Sequence, residues 1–281
     1  MAEFLSQDEI DDLLNIAESN EDNSNDCFID NKIGSLFSKD RESPFLSQEE
    51  IEELLGISES DEDVCINIDN DKFILNNHDY ILAYGGDGTL LRAIKEFKHL
   101  EKPFYGQAAG TVNFLMNEEG EPNVIHKSKK FDLIKVLVFC HDDLVKTIEV
   151  FNEVCIGGDM SSWITFDVEE KDEFFGTFKG SGLIISTPQG STGINKNNNG
   201  SVLPLSSNLW SITGDKTNRK IEYVIKPRKT VIKVESRTPV TVWGDGLNYV
   251  IENVKEVHIS KGDSVRVIFN NYNEFKRKRR I

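Results

Sequence analysis

Tyr80-Ile81-Leu82-Ala83-Tyr84-Gly85-Gly86-Asp87-Gly88-Thr89-Leu90-Leu91 decides the fold. Its first five residues are an apolar run of strand character. Leu90, Leu91, Ile94 and Phe97 then recur at helical spacing. A glycine-rich turn between a strand and a helix lets backbone N–H groups approach phosphate oxygens, and the helix N-terminus adds positive potential. An Asp in such a turn repels phosphate. It makes sense if it takes a proton from an attacking hydroxyl or holds Mg²⁺. The plain alternative is a strand-to-helix turn with Asp87 as its cap.

Upstream, Phe73-Ile74-Leu75 reads as a strand, and downstream Lys102–Gly106 reads as another. Strand, loop, helix and strand in that order predict a βαβ unit. No first βα unit is legible before Tyr80; residues 46–79 supply it in degraded form or it is absent. From about residue 131 the pattern changes to short strands separated by turns, expected at 133–139, 145–151, 163–169, 173–178, 182–186, 221–226, 230–235, 239–243, 248–250, 255–259 and 264–269. The expected fold class is therefore α/β + β. A small α/β lobe spans residues 62–130 and a larger β-rich lobe spans 131–270, with a site between them. The basic run Lys276-Arg277-Lys278-Arg279-Arg280 belongs to a solvated tail, 271–281.

The net charge of −16 is uneven. Residues 1–71 hold 22 acids against three bases, and the remainder holds 26 acids and 29 bases. The acidity argues against general nucleic-acid binding, which needs a basic face. Cys27, Cys65, Cys140 and Cys155 form no C-x-x-C pair, and the five histidines have no metal-ligand spacing. That pattern reads as reduced, cytoplasmic cysteine with no structural metal. The acidic, polar start is not a signal peptide, and no apolar run approaches the roughly 18–20 residues of a membrane span.

Residues 1–61 form an acidic arm carrying an internal repeat. Phe4-Leu5-Ser6-Gln7-Asp8-Glu9-Ile10-Asp11-Asp12-Leu13-Leu14 returns as Phe45-Leu46-Ser47-Gln48-Glu49-Glu50-Ile51-Glu52-Glu53-Leu54-Leu55. Each copy predicts a short helix, over 4–16 and 45–57. Ser6 with Glu9, and Ser47 with Glu50, form capping boxes. Leu5, Ile10, Leu13 and Leu14 share one face. The Asn-, Asp- and Ser-rich residues 18–44 read as disordered. Short amphipathic helices on a polar tether suit docking into an apolar groove; packing on the body or self-association are the alternatives. The repeat resembles the N-terminal peptide of the flagellar motor switch protein that binds the phosphorylated chemotaxis response regulator. The resemblance implies a response-regulator partner.

Two further constellations lie in the body. Asn152-Glu153 ends the apolar run Ile148–Phe151, and an amide beside a carboxylate suits the two hydroxyls of a ribose; taken in isolation the pair reads as a polar strand end. Gly180-Ser181-Gly182-Leu183-Ile184-Ile185-Ser186-Thr187-Pro188-Gln189-Gly190-Ser191-Thr192-Gly193-Ile194-Asn195 runs from a buried strand into a turn rich in hydroxyls and free N–H groups. It is not the G-x-S-x-G elbow of a serine hydrolase. By itself the Gly85–Thr89 loop also fits phosphofructokinase-like and lipid-kinase relatives.

Taken together, in this order and spacing, the three constellations over residues 73–270 resemble the NAD kinase family. Tyr105–Met116, with Asn113 where Gly is usual, and Asp245-Gly246 extend the likeness. The resemblance implies phosphoryl transfer from ATP, or in some members polyphosphate, to the 2′-hydroxyl of the adenosine ribose of NAD. It also implies a divalent metal, usually Mg²⁺, and a homo-oligomer, a dimer or tetramer. By position, Asp87 would be the general base, while Gly85, Gly86, Gly88 and Thr89 would hold phosphates. Asn152 and Glu153 would bind ribose hydroxyls and adenine, and Lys179 would contact phosphate. Ser181, Thr187, Gly190, Ser191, Thr192, Gly193, Asn195, Asn197 and Asp245 complete the implied nucleotide-binding set. The chain departs from the family at Ser181, where an Asp engages the nicotinamide side, at Gly193-Ile194, which replaces Ala-Tyr, and at Asn197–Asn199. Those departures leave open a nucleotide-binding adaptor with weak catalysis, or a kinase for a different small nucleotide.

Overall fold

The computed structural model describes residues 64–68, 71–75, 80–109, 113–118, 128–158, 163–170 and 173–278. The acidic arm, with the helices expected over 4–16 and 45–57, lies outside them. Among the described residues, no helix is long and apolar enough to cross a membrane.

Two sheets carry the fold. β1 (Val64–Ile68), β2 (Asp71–Leu75), β3 (Ile81–Gly85) and β4 (Phe104–Ala108) form one end of a ten-stranded sheet. β3 and β4 pair in parallel, and helix α1 (Asp87–Phe97) crosses between them. This is the βαβ unit expected from the strand–glycine–helix pattern. Leu90, Leu91, Ala93, Ile94 and Phe97 form the buried stripe of α1. Phe97 meets Phe73 edge to face, ring centroids 5.5 Å apart. Where a first βα unit was sought, β1 and β2 instead form an antiparallel hairpin, and β2 runs antiparallel to β3.

The ten-stranded sheet continues through β16 (Val254–Ile268), which pairs with β4 in parallel at its far end. β13 (Thr230–Glu235), β8 (Ile164–Glu170) and β9 (Glu173–Gly180) follow, while β5 (Ser128–Cys140) and β6 (Val145–Val150) line the other edge of β16. Thus one sheet runs through the expected α/β lobe and into the β-rich one. Sequence reading split β16 in two because Lys261-Gly262-Asp263 looks like a turn. It is a bulge in the pairing with β5. Glu149 Oε1 accepts the Asp263 N–H at 2.9 Å, and Asp132 takes the Lys261 ammonium and the Ser264 hydroxyl, each at 2.7 Å. Glu149 thereby satisfies a backbone N–H at the bulge, and Asp132 ties down the side chains on either side of it.

The second sheet has six antiparallel strands in the order β12 (Glu222–Ile225), β11 (Trp210–Asp215), β10 (Gly182–Ser186), β7 (Glu153–Gly158), β14 (Val240–Gly244) and β15 (Tyr249–Ile251). β7 and β11 were not expected from the sequence. Apolar side chains of both sheets, among them Val136, Ile156, Phe166, Ile185, Trp210, Ile232, Val242 and Val257, meet in one core. The expected solvated tail is in part helical. α2 (Ile194–Asn197) is a single turn, whereas α3 (Tyr272–Lys278) docks through buried Phe275, stacked on Phe269 at 4.2 Å.

Candidate active site

The phosphate loop lies at the C-terminal end of β3, where ligands of open α/β sheets collect. Gly86, not Asp87, is the N-cap of α1, and Asp87 is the first helical residue. Asp87 is therefore not spent on capping. Its carboxylate turns to the next segment of chain, where Phe114 N–H donates to Oδ2 at 2.9 Å and Leu115 N–H donates to Oδ1 at 2.9 Å. Two backbone donors thus fix the orientation of the group. Asn113, where Gly is usual, places its Oδ1 3.6 Å from where a Cβ on Gly86 would stand. Gly85 has φ +158, and a Cβ there would overlap Thr89 Oγ1. Thr89 itself donates its hydroxyl to Asp71 Oδ1 at 2.8 Å. Gly88 is exposed, with open space where a side chain would be.

Asn152 and Glu153 sit at the turn from β6 into β7. Asp245 builds that turn from beneath. It is buried, has φ +46, and accepts the N–H groups of Phe151 and Asn152 at 2.7 Å each and that of Glu153 at 3.4 Å. Burial pushes its carboxyl up to about 6, although the three N–H donors pull the other way. Asp245 was expected at the nucleotide. With its oxygens turned to the backbone, it positions Asn152 and Glu153 instead.

Glu153 is buried, and desolvation followed by the nearby Asp245 charge pushes its carboxyl up to about 8. It is therefore largely neutral at pH 7, a donor as well as an acceptor. Asn152 Oδ1 is buried without a hydrogen-bond partner. A buried, unsatisfied carbonyl costs roughly 1–3 kcal/mol, so its retention points to a ligand donor.

The Ser186–Asn195 turn closes against this pair. The Thr187 hydroxyl donates to Phe151 O and Asn152 O, at 2.8 and 2.9 Å, and accepts Gly190 N–H at 3.1 Å. A Cβ on Gly190 would overlap Asn152 O, so only glycine lets the two segments meet. Ser191 Oγ donates to Pro188 O and accepts Leu203 N–H. Asn195 Nδ2 donates to Ser191 O and Ser201 O at 3.0 Å each, and its Oδ1 accepts the hydroxyls of Ser211 and Thr213. Thr187, Ser191 and Asn195 were expected to touch the nucleotide. All three are fully buried with these bonds made internally, so they hold the turn in shape. Gly193 reaches the site: a Cβ on it would lie 3.8 Å from Glu153 Oε2. Thr192 is half-buried beside it, whereas Asn197 and Lys179 are exposed, Lys179 on β9.

A cavity of about 280 Å³ opens on this face of the six-stranded sheet, lined in part by Cys155, Ser181, Gly182, Ile194, Asp215 and Trp243. Cys155 follows Glu153 by two residues on one strand and so shares its face. Burial, and then the charges of Glu153, Asp215 and Asp245, push the Cys155 thiol up to about 12. A thiol raised that far is inert, and among the described residues the one acidic side chain of the pocket wall is Asp215. Sequence reading missed Asp215, which reaches Ser181 only through the pairing of β10 with β11.

The phosphate loop and the Asn152-Glu153 turn are physically connected. Lys95, on α1, donates to Asn248 O at 2.7 Å and lies 4.9 Å from the centre of the Tyr249 ring. Asn248 belongs to the same tight turn as Asp245.

No family model matches the chain. A NAD kinase of Rickettsia bellii is 30% identical over 207 residues, spanning 68% of this chain and 80% of that protein. A NAD kinase of Brucella melitensis is 27% identical over 202 residues, 67% of this chain and 77% of that protein. That of Enterococcus faecalis is 36% identical over 160 residues, 53% of this chain and 58% of that protein. Among solved structures, yeast NADH kinase complexed with NADH superposes with a TM-score of 0.64 at 18% identity, covering 72% of this chain and 65% of that one. A NAD kinase from Archaeoglobus fulgidus in complex with ATP gives 0.58 at 21% identity, covering 73% and 84%. At these identities the two structures speak to the fold. The extent and identity of the Rickettsia bellii match settle the rest: this chain belongs to the NAD kinase family.

Proposed function

We propose that the chain transfers the terminal phosphoryl group of ATP to the 2′-hydroxyl of the adenosine ribose of NAD, giving NADP and ADP. Asp87 takes the hydroxyl proton as the ribose oxygen attacks phosphorus and the bond to the ADP oxygen breaks. A positioned base of this kind contributes roughly 10²–10⁴ in rate. Backbone N–H groups of Asp87 and Gly88, at the start of α1, face the phosphates. The observation that carries the reading is the Asn152-Glu153 pair, a buried carbonyl without a partner beside a carboxyl held neutral. That pair offers one acceptor and one donor-acceptor to a vicinal diol. Gly193 borders the same space, and Ser181, Ile194 and Asp215 line the adjoining cavity.

Among the described residues, no group of three metal-ligating side chains could cage a cation. Mg²⁺ is commonly bound through one or two carboxylates and the substrate's own phosphates. Asp87 is the carboxylate of the phosphate loop itself. When bound, Mg²⁺ supplies charge neutralisation to the transferring phosphate.

Purified protein with ATP, Mg²⁺ and NAD should form NADP, measured with an NADP-specific dehydrogenase. Tight binding of ATP or NAD without NADP formation would replace this reading with that of a nucleotide-binding adaptor. Polyphosphate in place of ATP tests the donor. The enzyme is proposed to act in the cytoplasm as a homo-oligomer. Its repeats at 4–16 and 45–57 are proposed to dock on a phosphorylated response regulator, supported by the duplicated Leu-Ser-Gln-x-Glu-Ile pattern. A peptide of residues 1–18 should bind the phosphorylated form more tightly than the unphosphorylated one. Equal affinity for both removes that partner.

A further inference from the structure

We propose that Asp71, in the hairpin before the phosphate loop, is a positioning residue for that loop and acts through Thr89. The proposal rests on the loop being the ATP site. Thr89 is the third residue of α1, and its hydroxyl carries a single proton. In a helix, that proton commonly goes to a carbonyl one turn back. Here it crosses to Asp71 Oδ1, 18 residues earlier in sequence, at 2.8 Å. The Thr89 oxygen then faces the Gly86 N–H at 3.4 Å, closing the N-cap. This one hydroxyl thus ties the first turn of α1 to the hairpin.

Arg92 fixes the carboxylate from its other side, with Nη1 2.8 Å from Asp71 Oδ2. Arg92 lies three residues beyond Thr89, so the two share a helix face. It also neutralises a carboxylate that would otherwise repel phosphate. The Asp71 and Arg92 side chains are 22% and 30% exposed and Thr89 is 6% exposed, so the bond to Thr89 is shielded from water. The strand register explains the reach. Lys72 lies opposite Tyr84 in the β2–β3 pairing, so Asp71 continues alongside Gly85. Gly85 must be glycine because Thr89 Oγ1 occupies the place of its Cβ. The hydroxyl therefore sets both the N-cap and the backbone entering it. Without that acceptor the proton would go to a carbonyl one turn back, the oxygen would swing away from the Gly86 N–H, and the N–H groups of Asp87 and Gly88 would lose their set direction.

The test measures ATP affinity by calorimetry and NADP formation by steady-state kinetics in the full chain. Asp71→Ala should lower ATP affinity and kcat/KM for ATP by about 10- to 100-fold, the scale of a hydrogen bond to a charged group. KM for NAD should stay within about threefold. Asp71→Asn keeps an acceptor for Thr89 and should lose far less than Asp71→Ala. If Asp71 acts through Thr89, Asp71→Ala combined with Thr89→Val should be no worse than the more damaging single change. Unchanged ATP affinity in Asp71→Ala, or losses that multiply in the double variant, would overturn the proposal. Because ATP binding is read directly, a wild-type protein that binds ATP but makes no NADP sinks the proposed reaction and still tests Asp71.

Discussion

Glu153→Gln should make the ligand-free protein more stable at neutral pH, and more so as pH rises. Burial lifts the Glu153 carboxyl from its ordinary 4.5 to about 8. A carboxyl raised on folding costs nothing below pH 4.5, where both states are protonated. Between about pH 4.5 and 8 the unfolded chain has released its proton while the folded one retains it. Folded stability then falls by about 1.4 kcal/mol per pH unit. The accumulated cost is about 3 kcal/mol at pH 7 and about 5 kcal/mol above pH 8. Glutamine does not titrate, so this slope should vanish from the variant. Asp245, raised from 3.8 to about 6, gives both proteins a common slope at lower pH, so the difference between them isolates Glu153. Urea unfolding of ligand-free wild type and variant at pH 4.5, 7 and 9, followed by tryptophan fluorescence, measures that difference. It should grow across the series. A difference that stays constant from pH 4.5 to 9 would refute the raised carboxyl and with it the neutral ribose contact.

Asp87→Asn should reduce kcat by at least about 10²-fold while ATP and NAD affinities, measured by calorimetry, change by less than about threefold. Asp245→Ala leaves three buried N–H groups without their acceptor. It should destabilise the protein by about 3 kcal/mol in chemical denaturation and raise KM for NAD. Gly190→Ala forces a Cβ into Asn152 O and should cost about 1–3 kcal/mol, with loss of NADP formation exceeding any loss of ATP binding. Phe275→Ala empties the contact that docks α3 and should cost about 3 kcal/mol by the same denaturation assay, leaving kcat of the folded enzyme within about twofold.

What the sequence revealed of the fold followed local pattern. The β3–α1–β4 unit was legible because the hydrophobic period changes across the glycine turn, β10 as an uninterrupted apolar run, and β13 by its alternation of buried and exposed positions. β7 was not, because Glu153-Val154-Cys155-Ile156-Gly157-Gly158 ends in two glycines. Those glycines are set by close packing: a Cβ on Gly157 would sit 3.1 Å from Ser181 O, and one on Gly158 3.2 Å from Pro239 O. β11 was hidden by its polar positions Ser211 and Thr213, buried because both hydroxyls serve Asn195. The Asp71 contact left no signal, since its partner Thr89 lies 18 residues away in sequence.

The same distinction bears on the site. Most motif residues in the Ser186–Asn195 turn, together with Asp245, spend their polar atoms on backbone and on one another. They build a shape, and sequence alone cannot separate that from touching a ligand. Asp87 and the Asn152-Glu153 pair are different: the first lies at the mouth of a helix N-terminus, the second carries an unsatisfied carbonyl and a neutralised acid. Ser181 and Ile194 line the cavity beside the pair and hold up none of its backbone. Asp215, across the β10–β11 pairing, places a carboxyl group in the same wall as Ser181. Changes confined to that wall alter what fits the cavity. They leave the support of Asp87, made by Phe114 and Leu115, and that of Glu153, made by Asp245, as they were.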